Sequence, residues 1–163
     1  MNIRFGTSGW RAIIADDFTF KNVQLVSQAI SSYLTETNSS SARQTLMIGY
    51  DSRFMGEKFS EVAAEIAQRK GFRVLLCNHP TPTPTISHAI RTEKAAGGMN
   101  FTASHNPPEY QGIKFSSSDG APALPEITKR IEEIILSNPN LPDKEGGSIE
   151  SYDARPAYLE DLK

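Results

Sequence analysis

Apolar residues recur at helical spacing in three parts of the chain. The pattern predicts amphipathic helices over 20–35, 59–67 and 127–135. Each has a boundary signal in the sequence: Thr19 offers a hydroxyl to cap the first helix, Gly71 suits the left-handed residue that ends the second, and Asn138-Pro139 should stop the third.

Short apolar runs lie between the helices and predict strands, because they are too brief to be helices. These runs cover 45–50, 72–77, 96–101 and 112–115. A Thr-Pro alternation over 79–85 should keep the chain extended before a short helix near 86–91. The alternation of strands and helices predicts an α/β domain with a mixed, largely parallel sheet covered by helices.

The last part of the chain differs in composition from the rest. Residues 141–151 are rich in proline, glycine and charge, which predicts that a linker begins there. Residues 156–163 resemble a helix cut short, which favours excision from a longer polypeptide. We therefore expect one domain over 1–150, followed over 151–163 by a linker and the truncated start of a second domain.

Composition narrows the classes of function. The net charge of -2 gives no basic excess for nucleic-acid binding, and no apolar stretch approaches the roughly 20 residues of a membrane helix. The single cysteine, Cys77, lies in an apolar run and is expected to be a buried, unreactive thiol. These features predict a soluble cytoplasmic domain that binds neither nucleic acid nor membrane.

One polar loop has the residues for chemistry. It follows the predicted strand 96–101, and ligands usually bind at strand ends in α/β sheets. Its sequence over 102–108 is Thr-Ala-Ser-His-Asn-Pro-Pro, in which Ser104 offers a hydroxyl and two prolines stiffen the exit. If the next strand is a neighbour, the ammonium of Lys114 would come back beside Ser104. On composition alone, an inert turn is the more common outcome for such residues.

Several motifs together resemble the phosphohexomutase family of phosphoglucomutases and phosphomannomutases. The segment Thr-Ala-Ser-His-Asn-Pro over 102–107 resembles the family's phosphoserine loop, and Gly-Ile-Lys-Phe over 112–115 resembles the segment after it. Further matches are Phe-Gly-Thr-Ser-Gly-Trp-Arg over 5–11, Gly-Tyr-Asp-Ser-Arg over 49–53, and 81–85. Two departures occur: Ala12 replaces a usual glycine, and Asn100-Phe101 replaces apolar β-branched residues.

The resemblance implies the amino-terminal domain of an intramolecular phosphotransferase. In that family a phosphoserine gives its phosphoryl group to a hexose phosphate and recovers another from the bisphosphate intermediate, so hexose 1-phosphate and hexose 6-phosphate interconvert. Ser104 would be the carrier and Lys114 the general acid and base. The partners would be hexose phosphates and the remaining domains of the parent. Without those domains this fragment is expected to lack turnover.

The resemblance also implies Mg²⁺ and a bisphosphate activator, glucose 1,6-bisphosphate. Ser104 would bind the metal only through its phosphate, because the family's other ligands come from a second domain and no Asp-x-Asp-x-Asp pattern occurs here.

Other polar residues near these motifs have open roles. Arg11, with Ser8 and Asn106, would bind phosphate or sugar, since a guanidinium matches phosphate geometry; alternatively, Arg11 pairs with a surface carboxylate. His105 either hydrogen-bonds the phosphate or orders the loop. Arg53 and Asp51 are expected to form an internal pair.

Two other enzyme classes lack their motifs here. Neither the Gly-x-Ser-x-Gly elbow of serine hydrolases nor the P-loop of nucleotide enzymes occurs. The remaining alternative is a stand-alone domain that folds and binds phosphate or a partner without turnover.

Overall fold

Six strands and five helices alternate along the described residues. The computed structural model describes residues 3–6, 9–38, 44–137, 140 and 146–163. The elements are, in chain order, β1 (Trp10–Ile13), α1 (Phe20–Thr37), β2 (Thr45–Tyr50), α2 (Gly56–Arg69), β3 (Arg73–Cys77), α3 (Thr83–Thr92), β4 (Gly97–Phe101), β5 (Tyr110–Ser117), α4 (Pro125–Leu136), β6 (Ser148–Tyr152) and α5 (Arg155–Asp161).

The strands form one mixed sheet in the order β1-β5-β4-β2-β3-β6. Strand β2 pairs in parallel with β3 and β4, and β3 pairs in parallel with β6, whereas β5 runs antiparallel to both β4 and β1. A helical crossover precedes β3 and β4, as parallel pairing requires, while only a short loop joins β4 to β5. The predicted α/β fold with a mixed, largely parallel sheet is confirmed.

Helices cover the two faces of the sheet unequally. The larger core includes Trp10, Phe18, Ile48 and Phe101, and it is covered by α1, α2 and α4. On the opposite face, α3 packs over β2 and β4, and α5 packs against α3. Within the described residues, none of the helices is long and apolar enough to cross a lipid bilayer.

Most predicted elements are present with the predicted boundary signals. Thr19 caps α1 by accepting a hydrogen bond from the Asn22 amide at 3.2 Å, and Gly71 follows α2 with φ +94°. Cys77 is buried, and burial raises the pKa of its thiol to about 11. Ala12 lies in β1 opposite Gln111 without a positive φ, so the missing glycine leaves an ordinary strand. The predicted stop at Asn138-Pro139 and much of the polar loop at 37–42 lie outside the described residues.

Two predictions about local structure are wrong. Helix α3 begins at Thr83, inside the stretch predicted to be extended, because Pro84 occupies the first helical turn, where its missing N–H costs nothing. Residues 148–151, predicted as linker, belong to β6, which pairs with β3 and places Glu150 in a bidentate ion pair with Arg73. Strand β1 was not predicted.

Candidate functional site

Ser104 lies in the loop between β4 and β5, which we call the serine loop (residues 102–109). The loop begins where parallel strand β4 ends, and the Thr102 amide still bonds to the Gly112 carbonyl at 3.0 Å. Ser104 itself is exposed and left-handed, with φ +54°, and its amide donates to the Thr102 hydroxyl at 3.0 Å. A non-glycine residue rarely adopts this conformation, so the surrounding contacts must hold it in place.

Arg53 supplies those contacts. Its Nη2 donates to the carbonyl oxygens of Ser104 at 2.7 Å and Asn106 at 2.6 Å, while its Nη1 donates to those of Pro107 at 2.9 Å and Tyr110 at 3.1 Å. The arginine side chain is 15% exposed. One planar guanidinium, with five N–H donors in a fixed fork, thus fixes the backbone of the serine loop.

Asp51 and Gln111 hold the segment that carries Arg53. The predicted pair of Asp51 and Arg53 is confirmed: the Arg53 amide donates to Asp51 Oδ1 at 3.0 Å, and Arg53 Nε lies 3.7 Å from Oδ2. Buried Gln111 donates from Nε2 to the Phe54 carbonyl at 3.2 Å and accepts from the Gly112 amide at 3.1 Å. The prediction missed the reach of Arg53 to the serine loop and the role of Gln111, since both depend on contacts more than 50 residues apart.

Arg11 extends from β1 to the serine loop. Its Nη1 donates to the Asn106 side-chain oxygen at 2.6 Å, so its partner is an amide rather than a surface carboxylate. Its Nε is buried and has no hydrogen-bond partner within the part of the chain that the structure describes. The guanidinium therefore keeps donors that an anionic ligand can take.

The other predicted site residues differ in how close they come to Ser104. His105 is exposed, and its Nδ1 lies 3.4 Å from the Ser104 hydroxyl oxygen, a long separation for a hydrogen bond. Ser8 lies outside the described residues, although Gly9 beside it packs on β5 with φ +93°. The structure thus brings Arg11, Asn106, His105 and Ser104 together.

Lys114 lies in β5 on the same face of the sheet as Arg11. Its register partner is Asn100 in β4, which confirms that β4 and β5 are neighbours. Gly112 pairs with Arg11 and lies two residues before Lys114, so the two cations share one face. Across the described residues, the Lys114 ammonium makes no hydrogen bond or ion pair.

The described residues include no cluster of three or more metal-ligating side chains. Two further histidines, His79 and His88, make no hydrogen bond to the serine loop among the described residues. His79 is exposed, and His88 is buried against α5, where its Nε2 lies 2.7 Å from Asp161 Oδ2.

Comparisons with known proteins agree on one family. Residues 2–141 match the family described as "Phosphoglucomutase/phosphomannomutase, alpha/beta/alpha domain I". The chain is 36% identical over 139 residues to the "Probable phosphoribomutase" of Schizosaccharomyces pombe, covering 83% of this chain and 24% of that protein. It is 32% identical over 158 residues to the "Probable phosphoglucosamine mutase" of Pyrococcus horikoshii, covering 96% of this chain and 33% of that protein.

A solved structure is similar to this chain in both fold and sequence. The crystal structure described as "putative phosphomannomutase" from Thermus thermophilus superimposes with a TM-score of 0.88 at 38% identity, covering 99% of this chain and 36% of the other. The chain thus spans between a quarter and about a third of the length of these relatives. It belongs to the phosphoglucomutase/phosphomannomutase family and corresponds to domain I of that family.

Proposed function

We propose that this chain is the phosphoserine-carrying domain of an enzyme that interconverts hexose 1-phosphate and hexose 6-phosphate through a bisphosphate. The observation that carries the proposal is the serine loop itself. Arg53 fixes the loop backbone through four carbonyl oxygens while the Ser104 side chain stays exposed. Phosphoryl transfer depends mainly on positioning and charge stabilisation, and a fixed, accessible hydroxyl meets the first requirement.

Phosphoserine 104 would act as the donor in the first transfer. The hydroxyl oxygen of the bound sugar phosphate forms a new bond to phosphorus while the bond between phosphorus and Ser104 Oγ breaks. Lys114 would accept the proton of that hydroxyl and pass it to the departing Ser104 oxygen. In the second transfer the Ser104 hydroxyl gives its proton to Lys114 as its oxygen bonds to the other phosphoryl group of the bisphosphate, and Lys114 passes the proton to the departing sugar oxygen.

Arg11 would bind the phosphoryl oxygens. Asn106 occupies one of its terminal nitrogens and thereby orients the guanidinium, while the remaining donors stay free for an anion. Ser8 and Asn106 would complete this phosphate site, and His105 would either contact the phosphate or order the loop. These roles are extended to the chain from the family resemblance and from the contacts around Arg11.

A Mg²⁺ ion bound to the phosphoserine would neutralise charge on the transferring group. From this chain the ion would take only an oxygen of the Ser104 phosphate, and its other ligands would come from further domains of the parent. Glucose 1,6-bisphosphate would load the serine.

We further propose that residues 1–150 form domain I of a cytoplasmic parent enzyme and that residues 151–163 lead into its second domain. The relatives carry names that specify different sugars, namely ribose and glucosamine phosphates, so the likeness of domain I does not identify the substrate of the parent. The alternative of a domain that binds phosphate without any catalytic parent is not favoured, because these relatives are named as mutases.

Phosphate mapping tests the carrier role. The purified chain is incubated with glucose 1,6-bisphosphate and Mg²⁺, digested, and its peptides are weighed. We expect one added phosphoryl group on Ser104, no addition in Ser104→Ala, and unchanged addition in Ser118→Ala, a control at an exposed serine beyond β5. Phosphate on another residue would contradict the assignment of Ser104.

Turnover needs the rest of the enzyme. This chain can replace domain I of the Thermus thermophilus relative, whose fold it matches at a TM-score of 0.88. The chimera is expected to interconvert hexose phosphates and to lose that activity in Ser104→Ala.

A further inference from the structure

Asn100 in β4 is a buried polar residue whose side-chain oxygen has no hydrogen-bond partner among the described residues. It is 3% exposed, and its Nδ2 donates to the Thr83 hydroxyl in the first turn of α3 at 2.8 Å. Its Oδ1 is buried without a hydrogen-bond partner in the described part of the chain. A buried acceptor left unpaired costs free energy, so Oδ1 calls for a donor from a neighbouring side chain or a ligand.

Lys114 is the residue directly across the sheet from Asn100. The bond from the Thr102 amide to the Gly112 carbonyl marks that pair as hydrogen-bonded, and two residues along, Asn100 and Lys114 form the next such pair. In such pairs the two Cα atoms lie about 5.5 Å apart and the side chains share one face of the sheet. Both side chains therefore start on the face that bears Arg11.

The chemistry of the two groups is complementary. An ammonium carries three donors and no acceptor, and that of Lys114 has no partner among the described residues. Because Thr83 engages the amide nitrogen, the amide oxygen is the end left for a cation. We propose that Asn100 is a positioning residue. The two groups are not bonded in the conformation described, and a change of the Lys114 rotamer that brings its ammonium to Oδ1 would form a hydrogen bond that holds the ammonium on the face that bears Arg11. Its importance for turnover rests on the proposed role of Lys114 in proton transfer.

Lysine-specific acetylation of the intact chain tests this contact. The rate at Lys114 is followed by peptide mass spectrometry in wild type, Asn100→Leu and Asn100→Asp, with exposed Lys21 as the internal reference. Asn100→Leu removes the acceptor at similar volume and is expected to speed acetylation of Lys114 about tenfold, the scale of a hydrogen bond to a charged group. Asn100→Asp keeps an acceptor and adds negative charge, so it is expected to slow acetylation below the wild-type rate.

The two variants are expected to change the acetylation rate of Lys114 in opposite directions, and this distinguishes positioning by Asn100 from a general structural role. Loosened packing would raise the reactivity of Lys114 in both variants, and cooperative thermal unfolding verifies that each one folds. An unchanged rate in Asn100→Leu, or a change of the same sign in both variants, would overturn the proposal. The labelling requires neither phosphate on Ser104 nor turnover, so failure of the carrier role is seen in phosphate mapping and failure of this contact is seen here.

Discussion

The site end of the molecule and its C-terminal edge are held together by different kinds of contact. At the site end, Arg53 bonds to backbone carbonyls of the serine loop, and Gly9 packs directly on the backbone of β5. At the C-terminal edge, formed by β6 and α5, side chains pair with side chains at the surface: Arg73 with Glu150 and Arg155 with Asp153.

This difference separates the two regions by their tolerance of change. Contacts to the backbone fix the path of the chain. They are lost when a Cβ atom is added at Gly9 or when the guanidinium of Arg53 is removed. Exposed ion pairs contribute little, because water and salt screen them and both side chains lose freedom. The contacts that are most sensitive to substitution therefore lie around Ser104, the proposed phosphoryl carrier.

Two glycines with nearly equal φ angles offer the largest contrast in expected stability. Gly9 has φ +93°, and an added Cβ would lie 2.3 Å from the Ile113 carbonyl oxygen, whereas Gly71 has φ +94° and nothing within 4 Å of such an atom. Gly71→Ala is expected to cost about 1 to 2 kcal/mol from left-handed strain alone. Gly9→Ala adds a backbone clash and is expected to cost about 4 kcal/mol or more. Urea unfolding measures both, and equal losses would contradict the account of Gly9.

Two arginines form the next pair. Arg53→Ala removes four hydrogen bonds from a charged donor and is expected to lower the free energy of unfolding by about 3 kcal/mol. Arg53→Lys keeps the charge but not the fork, so it should recover little of that loss. Arg155→Ala, at the C-terminal edge, is expected to leave the free energy of unfolding nearly unchanged. The comparison fails if denaturant unfolding shows similar losses for Arg53→Ala and Arg155→Ala.

Alkaline pH is expected to weaken the fold through two groups on β3 and β6, the buried Cys77 and the half-buried Tyr152. Burial raises the pKa of the Cys77 thiol from 9.0 to about 11, and burial with a bond to Glu93 raises the pKa of Tyr152 from 10.0 to about 12. Above pH 9.0 the unfolded thiol releases a proton that the folded thiol keeps, so stability falls, by about 2 kcal/mol by pH 11 from Cys77. Cys77→Ala should move the onset of the loss to near pH 10.0, where Tyr152 begins to act. An unmoved onset in pH-dependent thermal unfolding would exclude Cys77 as the cause.

The contact between α5 and α3 carries the smallest expected effect. His88 is buried, but its partner Asp161 has a side chain that is 72% exposed. Asp161→Asn is expected to lower the free energy of unfolding by about 0.5 kcal/mol or less and to speed hydrogen exchange of the α5 amides, while exchange in the serine loop stays unchanged. Glu160→Gln, which affects only a surface pair with Lys163, is the control. Slowed exchange in α5, or faster exchange in the serine loop, would be contrary to this account.

The sequence predicted the elements that carry their own periodicity. Helices α1, α2 and α4 and strands β2 to β5 follow from apolar spacing, and the motif at 102–107 located the serine loop. It could not predict the short edge strands β1 and β6. In β6 burial alternates, but the apolar Ile149 is on the exposed side while Ser148 and Glu150 are half-buried, so hydrophobicity does not follow the period. In β1 burial does not alternate along its four residues. Nor could the sequence show that Arg53 holds the serine loop, because that contact exists only once the chain brings β2 beside β4.

The rate of phosphoryl loading tests most directly whether the ordered serine loop makes Ser104 the carrier. Wild type, Arg53→Ala and Arg155→Ala are incubated with glucose 1,6-bisphosphate and Mg²⁺, and phosphate on Ser104 is followed over time in samples shown to be folded. Wild type and Arg155→Ala are expected to load alike, and Arg53→Ala about 100-fold more slowly, because a displaced hydroxyl no longer meets the phosphorus in line. Loading of Arg53→Ala at the wild-type rate would contradict the account.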